Sequence, residues 1–241
     1  MTQFLHVDSA SKHFVGLKAV DAVSFSANQG EIVSIIGPNG AGKTTLFNLM
    51  TGQLKPSSGR ILFEGRDISS LAPHRRARLG FGRTFQISQT LTSMSVLENG
   101  MIGAFLHHGA LNAAAKKAAQ ALELVGLGNR LNNRAADLTL GERRRLEVAR
   151  ALAMEPRIVL LDEVMAGLNQ TEVQEIIDLV IKLNATGLTF LVIEHNLKVV
   201  RAFARRVIVL NRGALLAEGS AADVLSNSAV IEAYVGRGGQ A

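Results

Sequence analysis

The sequence has no cysteine and no tryptophan, and its 241 residues include one tyrosine and four prolines. Without cysteine, disulfide scaffolds, cysteine-ligated zinc sites and thiolate catalysis are excluded. One tyrosine and ten phenylalanines offer few platforms for stacking nucleic-acid bases. Hydrophobic residues at 47% and charged residues at 19% are typical of a packed globule and exclude an intrinsically disordered chain.

Long apolar runs are also missing. Nowhere does the chain approach the roughly 18 consecutive apolar residues of a membrane-spanning helix. The N-terminal residues lack a basic segment followed by an apolar one, so we expect no secretory signal and a cytoplasmic location. The net charge of +6 favours an acidic partner, which is nucleotide phosphate, nucleic acid or an anionic membrane surface.

The order of hydrophobic patterns predicts an α/β fold. Short strands are expected at Phe4–Val7, Val23–Ala27, Glu31–Ile36, Arg60–Glu64, Ile158–Leu161, Leu188–Ile193 and Val207–Leu210. Helices are expected between Ser95 and Leu124, with breaks at Gly103 and Gly109, and at Glu142–Met154 and Thr171–Leu183. We therefore expect a single domain, residues 1–241, in which a core of about 1–86 and 157–241 carries a helical subdomain of about 87–156.

A glycine-rich loop matches the pattern G-x-x-x-x-G-K-[ST] in full. It consists of Gly37, Pro38, Asn39, Gly40, Ala41, Gly42, Lys43 and Thr44, between a predicted strand and a predicted helix. Glycines let backbone N–H groups surround phosphate oxygens at the positive end of the helix. Lys43 brings a charge to the β- and γ-phosphates, and the Thr44 hydroxyl suits Mg²⁺. We count the adjacent Thr45 among the nucleotide-binding residues; the alternative is a coincidental glycine turn.

Two predicted strands end in candidate catalytic or metal-binding residues. The apolar strand Ile158–Leu161 ends in Asp162 and Glu163, at the sheet edge where ligands bind in open α/β folds. Asp162 is a candidate Mg²⁺ ligand and Glu163 a candidate for polarising the attacking water, although two such acids can also be solvated strand caps. His195 follows Leu188–Ile193 at the same kind of edge, where a structural role is the alternative.

Leu138-Thr139-Leu140-Gly141-Glu142 precedes the Glu142–Met154 helix. A hydroxyl cap followed by an acid in the first turn is a helix N-terminal signature. That interpretation is compatible with anion binding at the same helix end.

In their order and spacing, these features resemble those of ATP-binding-cassette (ABC) transporter ATPases, over essentially the whole chain. The resemblance implies an ABC-type P-loop fold with an antiparallel β subdomain and a helical subdomain, and it implies ATP and Mg²⁺ as ligands. It assigns catalysis to Glu163, His195 and Gln86, and Mg²⁺ binding to Thr44, Gln86 and Asp162. Phe14 would stack on adenine, with core packing as its alternative, and Thr139, Gly141 and Glu142 would close over nucleotide held by a second subunit.

The finer resemblance is to the larger type of ATP-binding subunit in branched-chain amino-acid uptake systems. It rests on Arg83–Gln86, Ala166–Asn169, Ile193–Asn196 and Val230–Gly236. It implies a second ATP-binding subunit, transmembrane permease subunits, indirect contact with a periplasmic solute-binding protein, and a peripheral location at the cytoplasmic face of the inner membrane. The family's usual pentapeptide is Leu-Ser-Gly-Gly-Gln, so Leu140 and Glu142 depart from it, as does Val164 where a proline is usual.

Other functions of the same cassette remain to be compared. DNA-maintenance ATPases need long coiled coils or zinc-bearing inserts, which the 51 residues between Gln86 and Leu138 and the absence of cysteine exclude, so we expect no nucleic-acid partner. A short cassette of a lipid or lipopolysaccharide exporter is the remaining alternative, and Glu142 leans towards it. Basic clusters at residues 74–78, 143–145 and 205–206 are interpreted as solvated charge or as contacts to acidic permease residues or the inner leaflet.

Overall fold

A computed structural model describes residues 4–84 and 90–235. Its strands are β1 (Leu5–Phe14), β2 (Leu17–Ala27), β3 (Ile32–Ile36), β4 (Ser58–Phe63), β5 (Arg66–Asp67), β6 (Phe81–Arg83), β7 (Ile158–Asp162), β8 (Thr189–Ile193), β9 (Arg206–Asn211) and β10 (Ala214–Gly219). Its α-helices are α1 (Lys43–Thr51), α2 (Pro73–Arg78), α3 (Val96–Ala104), α4 (Leu111–Leu124), α5 (Leu140–Ala153), α6 (Gln170–Asn184), α7 (Leu197–Phe203), α8 (Ala221–Ser226) and α9 (Ser228–Val235).

The chain divides into two compact units, Met1–Arg76 with Asn184–Ala241, and Ala77–Leu183. The first unit contains an antiparallel sheet in the order β2-β1-β4-β5 and a second set of strands in the order β10-β9-β3-β8. The second unit contains the parallel pair β6 and β7 together with the helices α3 to α5 and most of α6. The predicted helical segment 87–156 lies inside this second unit, and its bounds remain a prediction.

Strand β3 positions the phosphate loop of the first unit. All five of its residues are buried, which is typical of a parallel strand covered on both faces. It pairs in parallel with β8 through Ile35 and Ile193, and with β9 through Ile36 and Val209. Since parallel strands end at the same sheet edge, the loop after β3 and the residues after β8 share that edge.

The two strands predicted as short near the N-terminus are parts of a long hairpin, so those predicted bounds are wrong. Strand β1 has 10 residues and β2 has 11. Ser9 and Ala22 both take positive φ angles where the register shifts. The Ser24 hydroxyl accepts a hydrogen bond from the Ser9 N–H, and the Ser11 hydroxyl accepts one from the Ala22 N–H. These irregularities interrupt the two-residue alternation by which a strand is recognised in sequence.

Helices α3, α4 and α5 pack closely in the second unit through small residues. A Cβ atom on Gly100 would lie 3.1 Å from the Cβ of Ala118, and one on Gly103 would overlap the carbonyl oxygen of Arg150. The predicted helix break at Gly103 is therefore wrong, because this glycine lies within α3 and permits close approach to α5. The break at Gly109 is confirmed, since it lies between α3 and α4.

The predicted fold class, α/β with an antiparallel sheet and a helical part, is confirmed. Every helix within residues 4–84 and 90–235 is too short or too polar to span a bilayer.

Candidate functional site

The glycine-rich loop joins β3 to α1 and is shaped by positive φ angles at Gly37, Gly40 and Gly42. A Cβ atom on Gly37 would overlap the carbonyl oxygen of Leu210, and one on Gly42 would overlap that of Ala19. Glycine is required at both positions for two reasons, because the backbone is left-handed there and because other backbone lies against it. The local sequence thus fixes the shape of the loop.

Lys43 extends from the start of α1 back along this loop. Its Nζ atom donates hydrogen bonds to the carbonyl oxygens of Gly37, at 2.7 Å, and Pro38, at 3.0 Å. Gly42 caps α1 without a side-chain hydrogen bond, and no acidic side chain lies in the helix's first turn. Thr44 is exposed and Thr45 half-buried in that turn. A helix end with a buried ammonium group, hydroxyls and no acid is suited to phosphate.

Phe14 ends β1 at the tip of the hairpin, and 45% of its surface is exposed. Phe14 therefore does not pack into the core of the first unit, and the core-packing alternative is wrong. The ammonium group of Lys12 lies 5.5 Å from the centre of the ring. An exposed ring is available for stacking, so the proposed adenine contact stays open.

His195 is exposed, two residues after the end of β8. Asn196 follows it and caps α7, because its side-chain oxygen accepts hydrogen bonds from the N–H groups of Lys198 and Val199. The register of β8 against β3 brings His195 to the sheet edge from which the phosphate loop begins. This location agrees with the sequence-based expectation.

A cleft of about 590 Å³ beside the phosphate loop was not expected from the sequence. The loop residues Pro38 to Ala41 form one wall, and Arg212 and Glu232 contribute charged groups to the others. Arg212 takes a left-handed conformation in the β9–β10 turn. The turn is held to the loop by a hydrogen bond from the Gly213 N–H to the Ala41 carbonyl. The sequence Asn211-Arg212-Gly213 is typical of a tight turn and was the one local signal for this wall of the cleft.

In the second unit, Asp162 ends the fully buried strand β7 and is itself 1% exposed. Its Oδ2 atom accepts a hydrogen bond from Nη2 of Arg83 at 3.1 Å, and its N–H donates to the Thr84 hydroxyl. Burial lowers the pKa of Arg83, and the adjacent carboxylate opposes that shift. No local pattern pairs Arg83 with Asp162, which lies 79 residues further along the chain.

Glu163 directly follows β7 with a φ of +51°, which is unusual for a residue other than glycine. Its carbonyl accepts a hydrogen bond from the Ala166 N–H and so closes a tight turn. Val164, at the usual proline position, is fully buried. A strained backbone at a candidate catalytic residue is consistent with a position fixed by its surroundings.

Thr139 caps α5 as the sequence predicted, and this prediction is confirmed. Its hydroxyl accepts from the Glu142 N–H, and the Glu142 carboxylate accepts from the Thr139 N–H at 2.9 Å. That backbone hydrogen bond is the largest cause of a lowered Glu142 pKa, and Arg130 adds to it. A Cβ atom on Gly141 would lie 2.6 Å from a carboxylate oxygen of Glu172, so a larger residue here would displace the Glu172 side chain.

An apolar groove of about 330 Å³ lies beside α3, α5 and the end of β6 in the same unit. Arg83 and Thr84 line it together with Ile102, Phe105 and Met154. Ile102 and Phe105 are among the exposed large hydrophobic residues of the described chain.

The basic clusters are mostly engaged in contacts. Arg76 is completely buried, so the solvated-charge interpretation is wrong there. Arg144 forms a buried ion pair with Glu147, and Arg206 pairs with Glu31 and Glu218. Gln86, a predicted catalytic residue and metal ligand, lies outside the described residues.

The candidate magnesium ligands can be tested by their chemistry. Mg²⁺ prefers oxygen ligands and usually binds through one or two protein groups together with substrate phosphates. Thr44 offers a hydroxyl oxygen in the first unit, and Asp162 offers a carboxylate in the second. Within residues 4–84 and 90–235, no group of three acidic or histidine side chains forms an all-protein metal site. The oxygen donors present therefore fit a metal bound with nucleotide.

Comparison with protein families gives two matches. The family described as "ABC transporter" matches residues 20–166, and the family described as "Branched-chain amino acid ATP-binding cassette transporter" matches residues 214–239. The chain is 40% identical to the "High-affinity branched-chain amino acid transport ATP-binding protein LivG" of Salmonella typhimurium, over 96% of this chain and 97% of that protein.

Solved structures agree with these matches. An ATP-binding cassette of an ABC transporter in its ADP conformation is similar with a TM-score of 0.90 and 36% identity, covering 98% of this chain and 100% of that one. A dimeric ATP-binding cassette in a post-hydrolysis state, bound to ADP and phosphate, is similar with a TM-score of 0.81 and 28% identity. That similarity covers 90% of this chain and 98% of the other.

Proposed function

Since the chain belongs to the ABC transporter ATP-binding proteins, in their branched-chain amino acid group, we propose that it hydrolyses ATP to drive import of branched-chain amino acids. The observation that carries this proposal is the 40% identity to a branched-chain amino acid transport ATP-binding protein over nearly the full length of both chains. The match at residues 214–239 favours the same group over the lipid or lipopolysaccharide exporter.

Nucleotide binding is assigned to the first unit. The backbone of residues 37–42 surrounds the phosphates, and Lys43, already held over the loop by two carbonyl groups, neutralises the β- and γ-phosphates. Thr44 and Thr45 add hydroxyls in the first turn of α1. The exposed ring of Phe14 offers a stacking surface for adenine.

Hydrolysis is assigned to residues at the ends of β7 and β8. Mg²⁺, when bound, supplies charge stabilisation to the phosphates. By family resemblance, Thr44, Gln86 and Asp162 would hold that cation. Glu163 orients and polarises the attacking water from its fixed turn, and His195 assists at the γ-phosphate. These roles are positioning and electrostatic, and they require no covalent intermediate.

The N-terminus of α5 is assigned to a second nucleotide. Thr139 uses its oxygen to accept the Glu142 N–H, which leaves its hydroxyl proton to donate to phosphate. Gly141, in the first turn of α5, is assigned to the same nucleotide by family resemblance. The pair formed this way is a dimer of two ATP-binding subunits, and the dimeric relative with ADP and phosphate supports it. The family resemblance favours a partner of a different sequence.

The groove on the second unit is assigned to the permease. An apolar site of about 330 Å³ with exposed Ile102 and Phe105 suits a short amphipathic helix of a membrane subunit. Leu91 is 43% exposed while its backbone is fixed by hydrogen bonds with Asn99, so it does not serve the core of its own unit. Docking there would keep the chain at the cytoplasmic face of the membrane, with the solute-binding protein reached only through the permease.

Catalysis is tested with Glu163→Gln. We expect ATP affinity to stay near that of the wild type while phosphate release falls by about a hundredfold or more, since water positioning is lost. Glu64→Gln is a matched control, because Glu64 also has a left-handed backbone but lies in an exposed turn. Phosphate release within about twofold of the wild type in Glu163→Gln would remove this residue from the mechanism.

Dimer formation is tested with the same variant by light scattering. Because ATP completes the interface, Mg-ATP should convert a monomeric or weakly associating protein to twice its mass. An unchanged mass with and without ATP, both for this chain alone and for an equimolar mixture with the second ATP-binding subunit, would contradict the assignment of Thr139 and Gly141.

Docking is tested with the double variant Ile102→Asp and Phe105→Asp, which places two charges on the exposed apolar lining of the groove. The purified subunit should fold and bind ATP but fail to co-purify with co-expressed permease subunits. Loss of the circular dichroism spectrum, or normal co-purification, would show that these side chains do not form the docking surface.

A further inference from the structure

The short segment formed by Arg83 and Thr84 holds the end of β7 through three hydrogen bonds. Arg83 Nη2 donates to Asp162 Oδ2 at 3.1 Å, and the Thr84 hydroxyl accepts from the Asp162 N–H at 3.2 Å. The Thr84 N–H donates to the Leu160 carbonyl at 3.0 Å. The side chains of Arg83 and Asp162 are 8% and 1% exposed, so the ion pair is screened little by solvent.

Arg83 and Thr84 also line the apolar groove. A molecule in the groove would therefore contact the segment that holds Asp162. The distance between the groove and the carboxylate is one arginine side chain, so no long chain of contacts is needed to connect them.

We propose that Arg83 is a positioning residue that couples occupancy of the groove to the cation affinity of Asp162. This inference rests on the proposed assignment of Asp162 to magnesium. It adds a buried connection to the one that the family resemblance gives to Gln86. Arg83 acts through Asp162 and touches neither nucleotide nor water in this proposal.

The physical basis is competition between two cations for one carboxylate. The guanidinium group compensates the buried charge of Asp162, which reduces its attraction for a second cation. Without Arg83 the buried carboxylate would lose this compensating positive charge, and its attraction for Mg²⁺ would rise. A molecule in the groove that alters the ion pair between Arg83 and Asp162 would therefore change the affinity of Asp162 for Mg²⁺. Removing Arg83 should therefore tighten Mg²⁺ binding.

The first experiment measures Mg²⁺ dependence by binding rather than by turnover. Binding of a fluorescent ATP analogue to the full chain is followed by polarisation as Mg²⁺ is added. In Arg83→Met the half-saturating Mg²⁺ concentration should fall by about tenfold, as expected when a unit charge beside a divalent cation is removed. Arg83→Lys, which keeps the charge, should stay within about threefold of the wild type. Arg60→Met is the control, because it removes an exposed ion pair with Asp8.

The second experiment uses the absence of cysteine in the chain. Phe105→Cys introduces a single thiol in the groove, and a benzyl methanethiosulfonate adduct then fills part of it. Leu111→Cys carries the same adduct at an exposed position at the start of α4 and serves as the control. The groove adduct should change the half-saturating Mg²⁺ concentration by about threefold or more, and the same adduct in the Arg83→Met background should not.

The outcomes separate this inference from the proposed function. No change with the Phe105→Cys adduct, or an equal change with and without Arg83, overturns the coupling, even if permease co-purifies normally. A higher Mg²⁺ requirement in folded Arg83→Met overturns the charge competition. If Arg83→Met does not fold, the Arg83→Lys titration and the comparison of the two adducts decide. Failure of co-purification alone concerns the permease assignment and leaves these measurements valid.

Discussion

Replacing Arg76 with methionine should destabilise the protein strongly, because this arginine is completely buried among backbone carbonyls. Its Nη1 atom donates to the carbonyl oxygens of Leu49, at 2.6 Å, and Met50, at 2.8 Å, at the end of α1. Nη2 and Nε donate to Ser69 and Leu71. Burial lowers the Arg76 pKa to about 10, so the group remains charged at neutral pH and favourably placed at a helix C-terminus.

The magnitude follows from those four acceptors. Methionine keeps most of the apolar stem but leaves carbonyl oxygens without their donor, at about 1–3 kcal/mol for each that stays buried. Since water and local relaxation recover part of this, we expect a loss of about 3–5 kcal/mol in the free energy of unfolding. For a chain of this size, that corresponds to a melting temperature lower by about 10 °C.

The measurement is urea denaturation followed by circular dichroism, with Arg75→Met as the matched control. Arg75 is the exposed neighbour in α2, and its replacement should change stability by less than about 0.5 kcal/mol. If Arg76→Met and Arg75→Met unfold at the same urea concentration, the buried arginine does not stabilise the end of α1 in the manner described.

Two other substitutions test the loops that hold nucleotide. Gly42→Ala should lose ATP binding, because its Cβ would overlap the Ala19 carbonyl. Gly40→Ala has free space around the new Cβ and should bind ATP more weakly but measurably. Equal ATP binding by the two variants in equilibrium dialysis would contradict the steric argument. Glu142 has a lowered pKa, so its cap on Thr139 is fully present above about pH 4.5 and is lost as the pH falls through the folded-state value. The free energy of unfolding of the wild type should therefore exceed that of Glu142→Gln by up to about 1 kcal/mol near pH 6, and this difference should shrink towards pH 3. If urea denaturation gives the same difference at both pH values, the proposed link to Glu142 protonation is refuted.

The sequence could predict those parts of the site whose chemistry is local. The phosphate loop is recognisable because glycines at fixed spacing meet a backbone requirement that other residues do not satisfy. The cap formed by Thr139 and Glu142 is recognisable because its two partners are three residues apart. The strand β7 is recognisable as an uninterrupted apolar run ending in acids.

Features that depend on distant partners could not be predicted in the same way. Arg83 and Asp162 become an ion pair only when β6 lies beside β7, and neither residue carries a local signal of the other. Arg76 was hidden in a basic cluster because its partners are backbone carbonyls, which every sequence contains. The length of β1 was missed because bulges interrupt its alternation.

Uptake of radiolabelled leucine most directly tests the central claim that the chain powers amino acid import. It should be measured in cells that carry the permease and binding-protein genes but lack this subunit. Wild-type protein should restore uptake, whereas Lys43→Ala and Glu163→Gln, expressed to the same level, should not. Equal leucine uptake with the wild type, with Glu163→Gln and with an empty vector would contradict the account.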